Sequence, residues 1–498
     1  MPRRLADLWW SWAPAVGVAI CLWPRLPIFE IHEDEGVATD WALQLAAGKL
    51  PYRDFVVFAG PLTSVLYGAA FKLFGTALLV PRTLDAIAIL GSTVLLAVIA
   101  RRLLPAAWAA AVALLWGIWL PVFLGYAPYH FWAPLLLLAM TLALLPPNPR
   151  PLLAGLAGGA ALLFSQAFLF AVLAGVIVAY LVRRRPRDAA LMAAGPVGIG
   201  VVLVLYLALT GSLPHFYDQT IGYTLGSYQS LNRVPFPSNP LLLIDSLNWR
   251  DGYSRYWAFL GFWLVGVVGP FLVAGYAVLA AFREPPITVA GMLALISTGM
   301  FGAALIAKTG GPVCWMSAPF VLVLLAARVR HLNAGHSPRG RLARLSPLLV
   351  AGVLGLSPAP AGLQMSCVSN PHSELPAVQT AMGTICLRAS EPGKVAIVQR
   401  VAAARGSVAI AFEPDSPGLY ELTGVPAEVP STWTLKSVTP PWELAWQEEV
   451  LLQRRPIVVY IYDPDLEKNG HPWAFDTFLE LNYRVVEESE GVTVYRLR

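Results

Sequence analysis

Charged residues and cysteine are both scarce in this sequence. Only 13% of the 498 residues are charged, and just four are cysteine, against 57% hydrophobic residues and a mean hydropathy of +0.60. So little charge excludes an ordinary soluble protein. The sequence also lacks a P-loop, an HExxH helix, a CxxC pair and a nucleophile elbow, which leaves ATP-driven transport, zinc hydrolysis and serine hydrolysis without support. Trp9–Phe29 is long and has no small-residue cleavage site, so it reads as a retained span rather than a cleaved signal.

What is present is a series of apolar stretches near the ~20 residues needed to cross a bilayer. They run over 9–29, 82–100, 106–124, 131–146, 152–166, 167–182, 189–210, 257–282, 287–307, 314–328 and 345–363, about eleven crossings in all. Residues 364–498 have ordinary soluble composition. The expected fold class is therefore a polytopic α-helical membrane protein over 1–363 with a C-terminal soluble α/β domain over 364–498.

The net charge of +5 does not point to nucleic acid, because the basic residues lie between apolar segments rather than on one soluble face. Arg3-Arg4, Arg101-Arg102, Arg150, Arg183-Arg184-Arg185, Arg283 and the cluster from Arg328 to Arg344 fall in alternate loops, as cytoplasmic loops do. The N-terminus is then cytoplasmic, and the first outer loop (30–81) and the tail are outside, at the outer face of an inner (cytoplasmic) membrane. Of the cysteines, Cys21 and Cys314 lie in or beside spans. Cys367 and Cys386 share the outer compartment, where a disulfide and two free thiols are both open.

Four acids occupy six positions directly after the first span, in Glu30-Ile31-His32-Glu33-Asp34-Glu35. Carboxylates are costly at a membrane surface unless water, a partner or a substrate uses them, so Asp34 and Glu35 are candidate site residues. The alternative for Asp34 is a helix N-cap, since Gly36–Leu50 follows with Val37, Trp41 and Leu45 at four-residue spacing. That spacing predicts a helix lying along the interface. Beyond it come Tyr52-Arg53-Asp54-Phe55, Gly60-Pro61, Phe74-Gly75 and Arg82.

The ordered set Asp34-Glu35, a helix ending at Gly48, Leu50-Pro51-Tyr52-Arg53-Asp54, Pro61-Leu62, Phe74-Gly75 and Arg82 resembles the GT-C superfamily of integral-membrane glycosyltransferases. The likeness is to the branch that contains protein O-mannosyltransferases and lipid A aminoarabinose transferases (glycosyltransferase family 39-like). It is strongest over 25–105. Two departures are visible: Gly125–His130 carries no second acid, and Lys308–Trp315 has Cys314-Trp315 where relatives often carry His-Tyr.

The resemblance implies an inverting transfer of a monosaccharide from a polyprenyl-phosphate donor to a cell-envelope acceptor, whether protein, glycan or lipid. Asp34 would be the base that deprotonates the acceptor, and Glu35 would orient Asp34 or the acceptor. Cations would hold the leaving phosphate, with Lys308 beside Gly310-Gly311 first and Arg82 and Arg53 in reserve. Each also has a plain use, snorkelling or pairing at the interface. Asp54, Tyr129, His130, Tyr223 and Tyr228 are candidate substrate contacts, the last two from the ring-rich loop 211–256. No cofactor is certain and a divalent metal is left open.

Two other function classes fit a polytopic chain. A secondary transporter or lipid flippase should show paired interrupted helices in two repeat halves and little soluble tail, and the sequence shows no such repeat. A non-catalytic envelope scaffold is the other, with Asp34-Glu35 as the feature against it. In the tail, Lys394–Gln399, Ser407–Phe412, Ile457–Tyr462, Tyr483–Glu488 and Val492–Leu497 read as strands and Pro441–Arg454 and Trp473–Leu481 as helices. Glu413-Pro414-Asp415 and Asp463-Pro464-Asp465 follow strands and are weak acceptor-binding candidates.

Overall fold

The computed structural model describes residues 3–23, 26, 33–124, 129–223, 226, 268–283, 287–306, 316–332, 377–386, 391–405, 408–411, 416–427, 429–432, 439–461, 475–489 and 492–498. Its N-terminal part is helical: α1 (Arg3–Leu22), α2 (Glu33–Ala46), α3 (Leu62–Phe74), α4 (Leu79–Ala100), α5 (Ala106–Leu124), α6 (Tyr129–Leu144), α7 (Pro151–Phe164), α8 (Leu169–Arg183) and α9 (Pro186–Leu209). A short helix α10 (Leu213–Phe216) runs into a π-helical turn at Tyr217–Gly222, and α11 (Gly269–Arg283), α12 (Val289–Ile306) and α13 (Ala318–Leu332) complete this part.

Three segments are long and apolar enough to cross a membrane, Leu79–Ala100, Gln166–Arg183 and Pro186–Leu209, and shorter apolar helices accompany them. The chain is a membrane protein. Along α9, Val197, Val201, Val202, Leu205 and Leu209 are exposed, an apolar surface of the kind that lipid covers. Helices lie within ten of the expected stretches where these are described, 257–267 of the stretch 257–282 being outside the described residues, as is the whole of 345–363.

Local sequence explains the breaks. Ser165 is extended (φ −155°, ψ 123°) and separates α7 from a 3₁₀ turn at Gln166–Phe168, so the two short stretches are separate helices. Proline opens both α7 and α9, where its missing N–H costs no hydrogen bond. Between them, glycine permits backbone contact: a Cβ at Gly155 would stand 2.1 Å from the Met192 carbonyl oxygen.

The tail carries a β1 (Ala377–Thr380)–β2 (Gly383–Cys386) hairpin and a four-stranded sheet of β3 (Val408–Ala411), β4 (Ile457–Ile461), β5 (Tyr483–Ser489) and β6 (Val492–Leu497). The sheet order is β3-β4-β6-β5, with β3 parallel to β4 and the other pairs antiparallel. Helices α14 (Glu391–Arg405), α15 (Ser416–Thr423), α16 (Pro441–Arg454) and α17 (Asp476–Asn482) accompany it.

Lys394–Gln399 is therefore helical, not a strand. Val395, Val398 and Val401 are its buried residues, at a spacing of three that only a helix puts on one face. The two acid-Pro-acid turns and Cys367 lie outside the described residues, as does the side chain of Cys386.

Tail and membrane part share one apolar cluster, in which Tyr67, Phe71 and Leu78 meet Val398, Leu419, Tyr420 and Leu451. The expectation of an interfacial α2 with one apolar face is corrected here. Residues 35–42 are all buried, because α2 packs on α3 and on α15, with Val37 and Trp41 in a second cluster around Tyr52, Phe55 and Val57.

Candidate functional site

The acid-led α2 is anchored from three sides. At its start Glu35, 3% exposed, meets Arg82, 1% exposed, in a bidentate ion pair. Nε of Arg82 donates to Oε1 and Nη2 donates to Oε2 at 2.7 Å. Neither charge reaches bulk water, so both are stabilised by partners inside the protein, each other among them. Asp85, one turn along α4 from Arg82, accepts a hydrogen bond from the buried Tyr67 hydroxyl. The Thr39 hydroxyl donates to the Glu35 carbonyl at 2.9 Å.

Asp34 itself sits in the first turn of α2, and its side chain is outside the described residues. Tyr129 opens α6 with its side chain likewise undescribed, and the adjacent His130 is buried. Lys308 and Tyr228 lie outside the described residues.

Below α2 the loop 51–60 folds back on itself. Tyr52 is fully buried at φ 68°, with its hydroxyl donating to the Ala59 carbonyl at 2.9 Å. Gln219, from the π-helical turn, holds both ends of this fold: its Nε2 donates to the Tyr52 carbonyl at 2.8 Å and its Oε1 accepts from Val57 N–H at 2.9 Å. Arg53 and Asp54 remain at the surface as a second ion pair (2.8 Å), with side chains 46% and 30% exposed. Bonding by the Arg53 guanidinium holds the Asp54 carboxyl below the usual carboxylate range.

The third anchor is the tail. Lys49 Nζ donates to the Ala427 carbonyl (3.1 Å), Val56 N–H to the Pro430 carbonyl (2.8 Å) and the Thr432 hydroxyl to Asp40 Oδ2 (3.0 Å). These contacts border a cleft with about 430 Å³ of space continuous with solvent, lined by α2, Phe58, Gln219, Tyr223, residues 430–432 and the start of α16. Tyr223 is the sequence-identified contact that the fold brings here, 6.2 Å from the Phe58 ring.

Two lining carboxylates escaped the sequence reading. Burial pushes Asp40 up to about 6, against opposing hydrogen bonds from Gln44 and Thr432. Burial likewise pushes Glu443 up to about 7, opposed by Ser431 and Gln447. A signal for both was present: each acid has a glutamine one helical turn later, Gln44 and Gln447, whose amide donates to it at 2.7 and 3.4 Å. Among the described residues, no three His, Cys, Asp or Glu side chains gather as a metal-holding group.

No protein-family model and no curated protein sequence matches the chain. Solved structures do. ArnT from Cupriavidus metallidurans, bound to undecaprenyl phosphate, aligns over 96% of this chain and 97% of its own at 15% identity, with a TM-score of 0.55. The apo oligosaccharyltransferase of Archaeoglobus fulgidus aligns over 92% of this chain and 70% of its own at 13% identity, TM-score 0.51. The chain has the GT-C glycosyltransferase fold. AglB of the same archaeon, in complex with an inhibitory peptide and a dolichol-phosphate, aligns over 100% of this chain and 74% of its own at 12% identity, TM-score 0.50. In this chain, a helix that follows the first apolar helix and opens with carboxylates is held by α4 on one side and by the tail on another.

Proposed function

We propose that this protein is an inverting glycosyltransferase that moves a monosaccharide from a polyprenyl-phosphate donor to a cell-envelope acceptor at the outer face of the inner membrane. The observation that carries the reading is the anchored, acid-led α2 within a fold shared over nearly the full length of an undecaprenyl-phosphate-bound relative. In this reading the N-terminus is cytoplasmic, about eleven helices cross the membrane, and the α/β tail lies outside.

Asp34 accepts the proton of an acceptor hydroxyl as that oxygen bonds to the anomeric carbon. The bond from that carbon to the phosphate oxygen breaks on the opposite face, and the electron pair leaves with the polyprenyl phosphate. Glu35, locked to Arg82, fixes the helix turn that carries Asp34 and so positions the base. Lys308 and the surface Arg53 meet the negative charge of the departing phosphate, while Asp54, Tyr129, His130, Tyr223 and Tyr228 contact substrate. The buried pairing of Arg82 favours its use as Glu35's partner over direct phosphate contact. A divalent metal is left open and no step is routed through one.

The test is transfer of radiolabelled sugar from a panel of polyprenyl-phosphate donors into membrane extracts, with the intact chain and Asp34→Asn side by side. Incorporation that falls about a hundredfold or more in the folded variant is the expected result, the scale of a lost general base. Equal incorporation by both would remove Asp34 from the role. No incorporation from any donor would sink the transferase reading in favour of a flippase or scaffold.

A further inference from the structure

The end of the helical part opposite the 51–60 loop carries a basic patch that no carboxylate among the described residues neutralises. We propose that it binds an anionic phospholipid, with Arg150, Arg183, Arg184, Arg185 and Arg187 meeting the headgroup phosphate and the exposed face of α8 meeting an acyl chain. Such a site is independent of the transferase reading, since it lies far from α2 and turns nothing over.

Two hydrogen bonds fix where this end lies. At the finish of α7 the Phe164 carbonyl accepts from Gly60 N–H (3.3 Å), and just after α9 the Thr210 carbonyl accepts from Arg53 Nη1 (3.4 Å). Both helices therefore run from the arginine-bearing turns towards the 51–60 loop. The 24 residues of α9 rise about 36 Å, more than the ~30 Å hydrocarbon core of a bilayer. The arginines then sit at the headgroup level of the opposite membrane surface.

The fold gathers them from two turns. Arg183 Nη2 donates to the Pro147 carbonyl at 3.3 Å, which ties the turn between α8 and α9 to the turn before α7. Arg150 stands five residues before Gly155 and Arg187 five before Met192, and the backbones of Gly155 and Met192 are in contact. Arg150 and Arg187 therefore lie level with each other on parallel helices. All five arginines are exposed. From residue 86 to residue 217 the sequence holds one acid, Asp188, which is buried in the first turn of α9. Like charges held together without a counterion attract an anion.

Topology asks only that basic residues lie on one side of a membrane, not that they converge. Arg184 shows which anion suits the patch. It caps α8 in the left-handed region (φ 53°), which a residue with a Cβ adopts only when its surroundings hold it there. Its guanidinium lies over the Tyr180 ring, 5.8 Å from the centroid. Tyr180 heads an exposed apolar stripe that continues through Ile177, Leu173 and Leu169 on the same helix face. A cation stacked on a ring at the head of an apolar stripe offers charge to a phosphate and hydrocarbon to its chain. A soluble polyanion would use only the charge.

Native mass spectrometry of the full-length protein released from detergent, titrated with phosphatidylglycerol or phosphatidylcholine, tests the site. We expect phosphatidylglycerol to bind at least about tenfold more tightly, and Arg150→Gln/Arg187→Gln to weaken it about fivefold per arginine without moving phosphatidylcholine. Arg150→Lys/Arg187→Lys keeps both charges and should keep most of the affinity. Arg328→Gln/Arg330→Gln removes two exposed charges from α13 and should change the affinity less than about twofold.

Equal binding of the two lipids, or equal weakening by the α13 pair, overturns the site in favour of a diffuse surface field. A loss in the lysine pair as large as in the glutamine pair would trace the effect to packing rather than charge, and overturns it too. So does displacement by inorganic phosphate at the lipid's own concentration, because the acyl chain would then contribute nothing. Weakening by Arg53→Ala would put the lipid at the far end of α9 and leave the arginine patch as a topological signal alone.

Discussion

Glu35 on α2 and Arg82 on α4 form a buried, bidentate ion pair, 47 residues apart in sequence. The pair ties the helix that begins with the acidic segment to the first turn of a long apolar helix. It is the reason the proposed base is carried on a fixed element rather than on a mobile loop.

Breaking this pair should be severe. Glu35→Gln or Arg82→Ala takes from a buried charge its bidentate partner, a loss of up to about 3–5 kcal/mol. Thermal unfolding in detergent should show both single variants markedly destabilised. The double variant Glu35→Gln/Arg82→Met should be less affected than the sum of the two, because it removes both members of the pair together. Additive losses would mean that the residues act separately.

Gln219 should matter for a different reason. Its amide serves the carbonyl of the buried Tyr52 and the N–H of the buried Val57, so Gln219→Ala leaves two backbone groups unsatisfied, each costing about 1–3 kcal/mol. Hydrogen exchange at Val57 N–H should accelerate at least about tenfold, with little change in α7 and α9. Uniform acceleration would indicate global rather than local loosening.

How far the sequence discloses this arrangement depends on the range of the signal. Helix positions are legible because apolar length and proline or serine breaks, such as Pro151, Ser165 and Pro186, act locally. The Asp34-Glu35, Arg53-Asp54 and Arg82 series is legible as an ordered motif. That Glu35 and Arg82 pair with each other is not, since two membrane elements must first be packed. α2 reads as interfacial because its second contact surface comes from α15, several hundred residues away. The same distance hides the cleft: Asp40 and Thr432 are 392 residues apart and share a hydrogen bond. Lys394–Gln399 misleads by its valine and isoleucine content, although the spacing of Val395, Val398 and Val401 already favours a helix.

The two buried acids of the cleft should make the protein more stable in mild acid. Both have folded-state values above their unfolded ones, Asp40 from 3.8 to about 6 and Glu443 from 4.5 to about 7. The folded state therefore binds more protons than the unfolded state between those limits, and stability falls as pH rises through the window. A shift of about two units corresponds to about 3 kcal/mol for one group. Unfolding temperatures of the intact chain should rise between pH 7.5 and pH 5, and Asp40→Asn should flatten the lower part of that slope. A slope of opposite sign would show that both acids are ionised and compensated in the folded protein.

Arg53 separates stability from function. Its pair with Asp54 is solvent-screened at the surface, so its contribution to folding is small. Arg53→Ala should therefore leave the unfolding temperature nearly as it was. As a phosphate contact in the proposed reaction, Arg53 should still affect transfer, raising the KM for the polyprenyl-phosphate donor by about tenfold, the effect of losing a charge-assisted contact. Arg53→Lys keeps the charge but loses the fork that grips both Asp54 oxygens, and it should recover part of the donor affinity. A donor KM that stays constant in both variants would reduce Arg53 to the surface partner of Asp54 and leave the phosphate to Lys308.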